Sequence, residues 1–204
     1  MELFPATPDL PAADLYLLVQ ILNGAWGDLV EATPDLLRKR FESGQLFVVV
    51  RDAGTQPELD FIRATYQLEI LDGRIPIGLL ETIDAVTAGD ASRVPSPYAL
   101  LTAGGAWRAP LADADTLVFV DLTTAISRQR SGIGRDIVRY GLSQRKAHHR
   151  HAFTFTPHVP ATMAWHEKRG ARASGVVLPG ARPGHSVPDV HVMDYSTVTP
   201  EQVS

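Results

Sequence analysis

Cysteine is absent from this 204-residue chain, which excludes disulfides, thiolate zinc sites and cysteine nucleophiles. A marked excess of either charge is absent as well. The 19 basic and 23 acidic side chains leave a formal net charge of -4, which gives no support for a protein that coats nucleic acid. No apolar run approaches the roughly 18 residues of a membrane span. The opening MELFPATPDLPAADLYLLVQ has acids and no basic residue ahead of its apolar stretch, unlike the charged leader of a secretory signal. Internal repeats, linker-like stretches and the nucleotide motif G-x-x-x-x-G-K-S/T are all missing. These absences predict one domain over 1–204, cytoplasmic, with neither nucleic-acid nor membrane partners; a homodimer stays open.

What remains is ordinary globular composition, 45% hydrophobic and 21% charged. Asp9 and Pro11 precede an apolar series at Leu15, Leu18, Ile21 and Leu22, which predicts a helix stopping at Asn23-Gly24. Thr33, Pro34 and Gly44 bracket a second helix, whose RKR at 38–40 reads as a solvated face. LFVVVRD (46–52) reads as a central strand. AGTQPELD looks like an exposed turn, and FIRATYQLEI fits either a strand or a helical insertion. A strand over Ile77–Ile83 leads into a long loop over 85–115, the kind of segment that often binds or covers a ligand. Strands at 116–122 and 151–157 flank a helix over 132–147. A helix from Pro160 to Arg169 and a final strand pair complete the order. The expectation is an α/β fold with a mixed sheet and helices on both faces.

The stretch RQRSGIGR (128–135) sits where a strand becomes a helix. A helix start leaves backbone N–H groups unpaired, and the peptide dipoles favour an anion there. Gly132 and Gly134 would let a phosphate come close, Ser131 adds a hydroxyl, and Arg128, Arg130 and Arg135 add charge. The alternative is a plain connector whose glycines serve helix–sheet packing. The dinucleotide fingerprint does not fit, because Ile137 stands where its third glycine belongs.

QRSGIG (129–134) resembles the Q/R-x-x-G-x-G/A motif of the GNAT superfamily of acyl-CoA N-acyltransferases. TLVFVDLTTAISRQRSGIGRDIV resembles that family's fourth strand and the helix after it, and PATMAWHEKRGA its later helix segment. The resemblance covers 116–196 best and extends to VVVRDAG and IPIGLLETI. It implies a GNAT-like, mostly antiparallel sheet flanked by helices, with acetyl-CoA or another acyl-CoA as co-substrate. Carried over by position, Gln129, Arg130, Ser131, Gly132, Ile133, Gly134 and Arg135 would hold the diphosphate, and the edge at Val120, Asp121 and Leu122 would bind the pantetheine arm.

One position departs from the pattern. Many such enzymes have a tyrosine that protonates the leaving thiolate where this chain has His166, and Ala171 replaces a phenylalanine. Histidine sits near its switching pH at neutrality, so His166 can serve as the acid, orient an acyl group, or be structural. The segment also resembles GNAT-like domains of polyketide loading, some of which decarboxylate malonyl thioesters; Thr123, Thr124 and Arg182 are then of interest. For transfer to an amine, Glu81 and Asp121 are the available bases. HHRH (148–151) matches no usual zinc spacing, and no metal is expected. The resulting expectation is acyl transfer, acetyl foremost, to a small-molecule or peptide amine. The alternatives are decarboxylation and a non-catalytic acyl-CoA-binding domain.

Overall fold

The computed structural model describes residues 1–5, 9–26, 32–42, 46–70, 72–95, 112–179 and 189–204. Helix α1 spans Ala12–Trp26, running past the expected stop, and α2 spans Pro34–Glu42. The Thr33 hydroxyl caps α2 by accepting from the Leu36 amide at 3.2 Å, as a threonine before a first-turn proline should. Strand β1 (Glu2–Pro5) was not anticipated; it is short and ends in proline, a composition suited to an edge.

Strand β2 (Leu46–Ala53) lies between β1 and β3 (Arg74–Ala85), as its branched residues predict. The ambiguous segment between them is a helix, α3 (Gln56–Tyr66). Its entry is the reciprocal capping box of Thr55 and Glu58, a T-x-x-E signal that the turn-like AGTQPELD conceals. Strand β4 covers Thr116–Thr124, α4 Ile133–Ser143, β5 His151–Pro157 and α5 Pro160–Glu167. Strands β6 (Arg172–Leu178) and β7 (Val190–Asp194) follow. Helix α4 is shorter than expected, and just past its end the Arg145 guanidinium donates to the Ser196, His149 and Arg150 carbonyls. Most of the long loop, Trp107 within it, and the turn that contains Arg182 lie outside the described residues.

Among the described residues seven strands form one sheet in the order β1-β2-β3-β4-β5-β7-β6. β4 and β5 run parallel and the other pairs antiparallel. Alternate strand residues feed two cores. One joins Leu18, Leu22 and Leu37 of the first two helices to Val49, Leu79 and Val118. The other joins Ile137 and Val138 of α4 to Val48, Leu80 and Phe119, and reaches Ile62 of α3.

Two irregularities place the site. Opposite β3, Glu81 pairs with Asp121 but Thr82 with Phe119, so Val120 is an extra residue bulged into β4. On the other side, β4 pairs with β5 from Thr116↔His151 only as far as Phe119↔Thr154. There the Thr154 hydroxyl donates to the Phe119 carbonyl at 3.1 Å, and beyond it the strands part.

Candidate active site in the fork between two parallel strands

The fork opens into a cleft of about 1090 Å³. Val120, Leu122 and Thr123 of β4 form one wall and Phe155–Pro157 of β5 the other, with α1, α3 and His166 completing it. Past Phe119 the edge of β4 that faces β5 has no strand partner among the described residues. Backbone groups there are therefore available to an extended ligand arm.

At the far end of that edge the chain turns into α4. Arg130 and Gly132 take left-handed φ values of 67° and 88°. Glycine meets this at Gly132 without the strain a side chain would add. Among the described residues, the amides of Arg130 through Arg135 donate to no protein acceptor, while the Gly132 carbonyl begins the helix by accepting from Asp136 at 3.1 Å. Among the described residues, and apart from its chain neighbours, the atoms within 4 Å of where a Gly132 Cβ would sit belong to the Arg135 guanidinium, the nearest at 3.5 Å. The mouth of α4 is open, with a row of N–H donors and the helix dipole behind them.

The side chains around this turn divide by role. Gln129 lines the cleft and Arg130 and Ser131 are exposed at the mouth, Ser131 donating to the Arg128 carbonyl at 2.5 Å. Ile133 is buried in the second core, so it offers the site an amide and no side chain. Gly134 lies under Trp165, and a Cβ there would come within 2.8 Å of the indole. This second glycine serves packing. Arg135 pairs with Asp136 at 2.9 Å. Arg128 is already engaged: it bonds both Glu58 oxygens, at 3.1 and 2.6 Å, and the Ala53 carbonyl at 2.9 Å. It fastens the turn to the start of α3. Arg169, which the sequence did not single out, stacks on Trp165 at 3.7 Å.

His166 is buried, 5% exposed, with Nδ1 2.9 Å from the Tyr195 hydroxyl. Burial, helped by nearby Arg169, pushes its pKa down to about 4, and burial drives the Tyr195 phenol up. The expected near-neutral switch is therefore corrected: at pH 7 this imidazole is uncharged. With the phenol donating to Nδ1 the ring proton lies on Nε2; with the reverse, Nε2 accepts.

Glu81 and Asp121 face each other across β3 and β4, both fully buried. Arg40 of α2 bonds Glu81 through Nε at 3.1 Å and places Nη2 3.7 Å from Asp121. The reading of RKR as solvated thus fails at Arg40, which is 1% exposed. Burial lowers the Arg40 pKa to about 10, which still leaves it charged at neutrality. Neither carboxylate lines the cleft, so of the direct and water-mediated routes expected for them as bases, only an indirect one is left. Thr123 does line it, and its hydroxyl donates to Asp121 at 2.6 Å.

The histidine run falls on a charge clamp. Asp84, His148 and His149 place ligand atoms within 4.8 Å of one another. Lys146 already sits 2.6 Å from Asp84, and His149 accepts the Lys146 amide on Nδ1, which leaves its proton on Nε2 facing Asp84 at 3.0 Å.

No family model matches this chain, and no curated protein does. Solved structures match over nearly its whole length. The loading GNATL domain of CurA from Lyngbya majuscula is 12% identical over 95% of this chain and 96% of that one, with a TM-score of 0.62. NAA60 of Arabidopsis thaliana, in complex with a bisubstrate analogue, is 10% identical over 95% and 96%, also with a TM-score of 0.62. A GNAT superfamily phosphinothricin acetyltransferase from Sinorhizobium meliloti, in complex with AcCoA, is 14% identical over 97% and 91%, with a TM-score of 0.57. The fold is that of the GNAT superfamily.

Proposed function

We propose that this chain transfers an acyl group from acyl-CoA to a primary amine by direct attack. The observation that carries this reading is the row of unpaired amides at Arg130–Arg135, standing at the end of a strand edge that β5 has left open. A diphosphate fits the first and an extended pantetheine arm the second. The arm would run past Val120 and Leu122, with Gln129, Arg130, Ser131 and the amides of Gly132 to Arg135 around the diphosphate. Acyl-CoA supplies an activated carbonyl and a thiolate leaving group.

The chain's own residues then have three tasks. Main-chain donors on β4 polarise the carbonyl. Neutral His166, held by Tyr195, offers Nε2–H to the departing sulfur as a hydrogen bond; its low pKa removes the imidazolium route. The amine's proton leaves by water or by the Thr123 hydroxyl toward Asp121, since Glu81 and Asp121 do not reach the cleft themselves.

A second reading, decarboxylation of a malonyl-type thioester, is favoured by one observation. Among the described lining residues the one carboxylate is Glu58, committed to Arg128, while Thr123, Thr154 and Thr156 carry hydroxyls beside neutral His166. A substrate carboxylate desolvated there is destabilised relative to its loss as CO₂. Incubation with acetyl-, propionyl- and malonyl-CoA plus an amine panel, read by mass, separates the two. Acylated amine supports transfer, acetyl-CoA with CO₂ from malonyl-CoA supports decarboxylation, and absence of CoA binding defeats both.

A further inference from the structure

The cleft is spacious, and much of its lining is apolar. At about 1090 Å³ it exceeds the roughly 300–1,000 Å³ typical of sites for drug-sized ligands. One arm of it runs from the fork between α1 and α3, lined by Leu17, Ile21, Phe61, Ile62 and Tyr66. The Tyr16 and Tyr66 rings, 5.1 Å apart, join the two helices. Ile21 packs on the core that holds Val120 and Phe155, and Leu17 belongs to the core that holds Ile62. Helix α1 thus brings apolar side chains packed on both cores to the cleft wall beside α3.

The rim repeats the pattern. Phe61 and Ile126 line the cleft and are nonetheless 58% and 73% exposed. A single exposed hydrophobic side chain is ordinary, but two on one cleft rim mark a surface built for apolar contact. An ammonium entering this arm would find no uncommitted carboxylate among the described lining residues, and a buried charge without a partner is costly.

We propose, resting on the acyl-CoA reading above, that the α1–α3 arm receives the hydrocarbon chain of a medium-length acyl group carried on the thioester. The arm begins at the fork, which is the point the thioester reaches, and its outer wall is α3, fastened beside the diphosphate cradle by Glu58 and Arg128. The occupant is therefore tethered to the CoA and distinct from the incoming amine.

Calorimetric titration with CoA, acetyl-, hexanoyl- and decanoyl-CoA tests this. Each methylene withdrawn from water is worth roughly a fourfold gain in affinity when fully buried. The expected result is decanoyl-CoA binding at least tenfold tighter than acetyl-CoA, displaceable by unacylated CoA. Phe61→Asp, at an exposed position that threatens the fold little, should collapse the decanoyl-to-acetyl ratio toward one. Equal affinities along the series, failure of CoA to displace decanoyl-CoA, or an unchanged ratio in the variant would each overturn the proposal while leaving CoA binding intact. If CoA itself does not bind, the parent reading falls and takes this one with it.

Discussion

The His166 imidazole and the Tyr195 phenol share a hydrogen bond of 2.9 Å between two buried side chains at the cleft wall. Tyr195 is fixed by its own backbone, donating its amide to Ala152 at 2.8 Å, so the ring it presents to His166 is positioned by the sheet.

That setting predicts a stability cost in acid. The His166 pKa falls from about 6.5 unfolded to about 4 folded. Between those values the unfolded chain binds a proton that the folded one refuses, so stability is full above pH 6.5 and declines as pH falls toward 4. The gap corresponds to about 3 kcal/mol. Urea denaturation at pH 7 and pH 4.5 should show a larger loss for the wild type than for His166→Phe. An equal loss in both would mean that the imidazole is protonated in the native state. In turnover, His166→Phe should reduce kcat well beyond any change in CoA affinity. Tyr195→Phe should reduce it less and raise the imidazole pKa measured by NMR, since the neutral ring loses the phenol that donates to it.

Gly132 and Gly134 should separate binding from folding. Gly132→Val puts a branched side chain at φ 88°, into the open mouth of α4. It should weaken CoA affinity at least a hundredfold by calorimetry, and the backbone strain should cost about 1–2 kcal/mol. Gly134→Ala pushes a methyl to 2.8 Å from Trp165. It should lower Tm and alter the near-ultraviolet dichroism of the indole. Adding Trp165→Leu should restore part of the Tm, which a role in binding alone would not produce.

The elements most legible in the sequence were those with one dominant local signal. β5 was read to the residue because HAFTFTP alternates cleanly, and the turn at 128–135 declared itself by two glycines between a strand and a helix. Helix α3 was ambiguous because its single buried residue, Ile62, leaves almost no apolar period to read; the capping box at Thr55 and Glu58 was the available clue. The directions of Glu81 and Asp121 were hidden for a different reason. A bulge at Val120 shifts the alternation of β4 by one residue, and nothing local to VFVDLTT announces it. Arg40 was misread because a basic residue within RKR looks solvated until strands 41 residues away bring it a carboxylate. Tyr195 as the partner of His166 likewise depends on a contact that spans 29 residues.

Arg40 also supplies a stability test. Arg40→Met leaves Glu81 and Asp121 adjacent in the interior without their cation. The loss should be about 3–5 kcal/mol, the range for breaking one side of a buried pair. Adding Glu81→Gln to Arg40→Met should recover part of this, because it removes one of the two stranded charges. Chemical denaturation of the wild type, the two single variants and the double variant closes the cycle. If Glu81→Gln worsens the Arg40→Met protein, the carboxylate has another role.

The last prediction concerns how α3 holds the cradle. Arg128 and Glu58 are each about four-fifths buried, with side-chain exposures of 20% and 23%, so their 2.6 Å contact is screened less than a surface pair. Glu58 also receives the Thr55 amide and hydroxyl, and with Arg128 these hold its carboxyl below the usual range despite burial that works the other way. The pair therefore fixes three things together: the cap of α3, the Ala53 carbonyl, and the turn that presents the open amides. Arg128→Ala should weaken CoA binding about five- to tenfold with little change in Tm, and Glu58→Gln should do much the same. Because both act on one contact, Arg128→Ala combined with Glu58→Gln should be no worse than either alone, a coupling near 1 kcal/mol in the double-mutant cycle. Strictly additive losses would mean that Arg128 meets the diphosphate directly, and the cradle would then be built from side-chain charge as much as from the backbone.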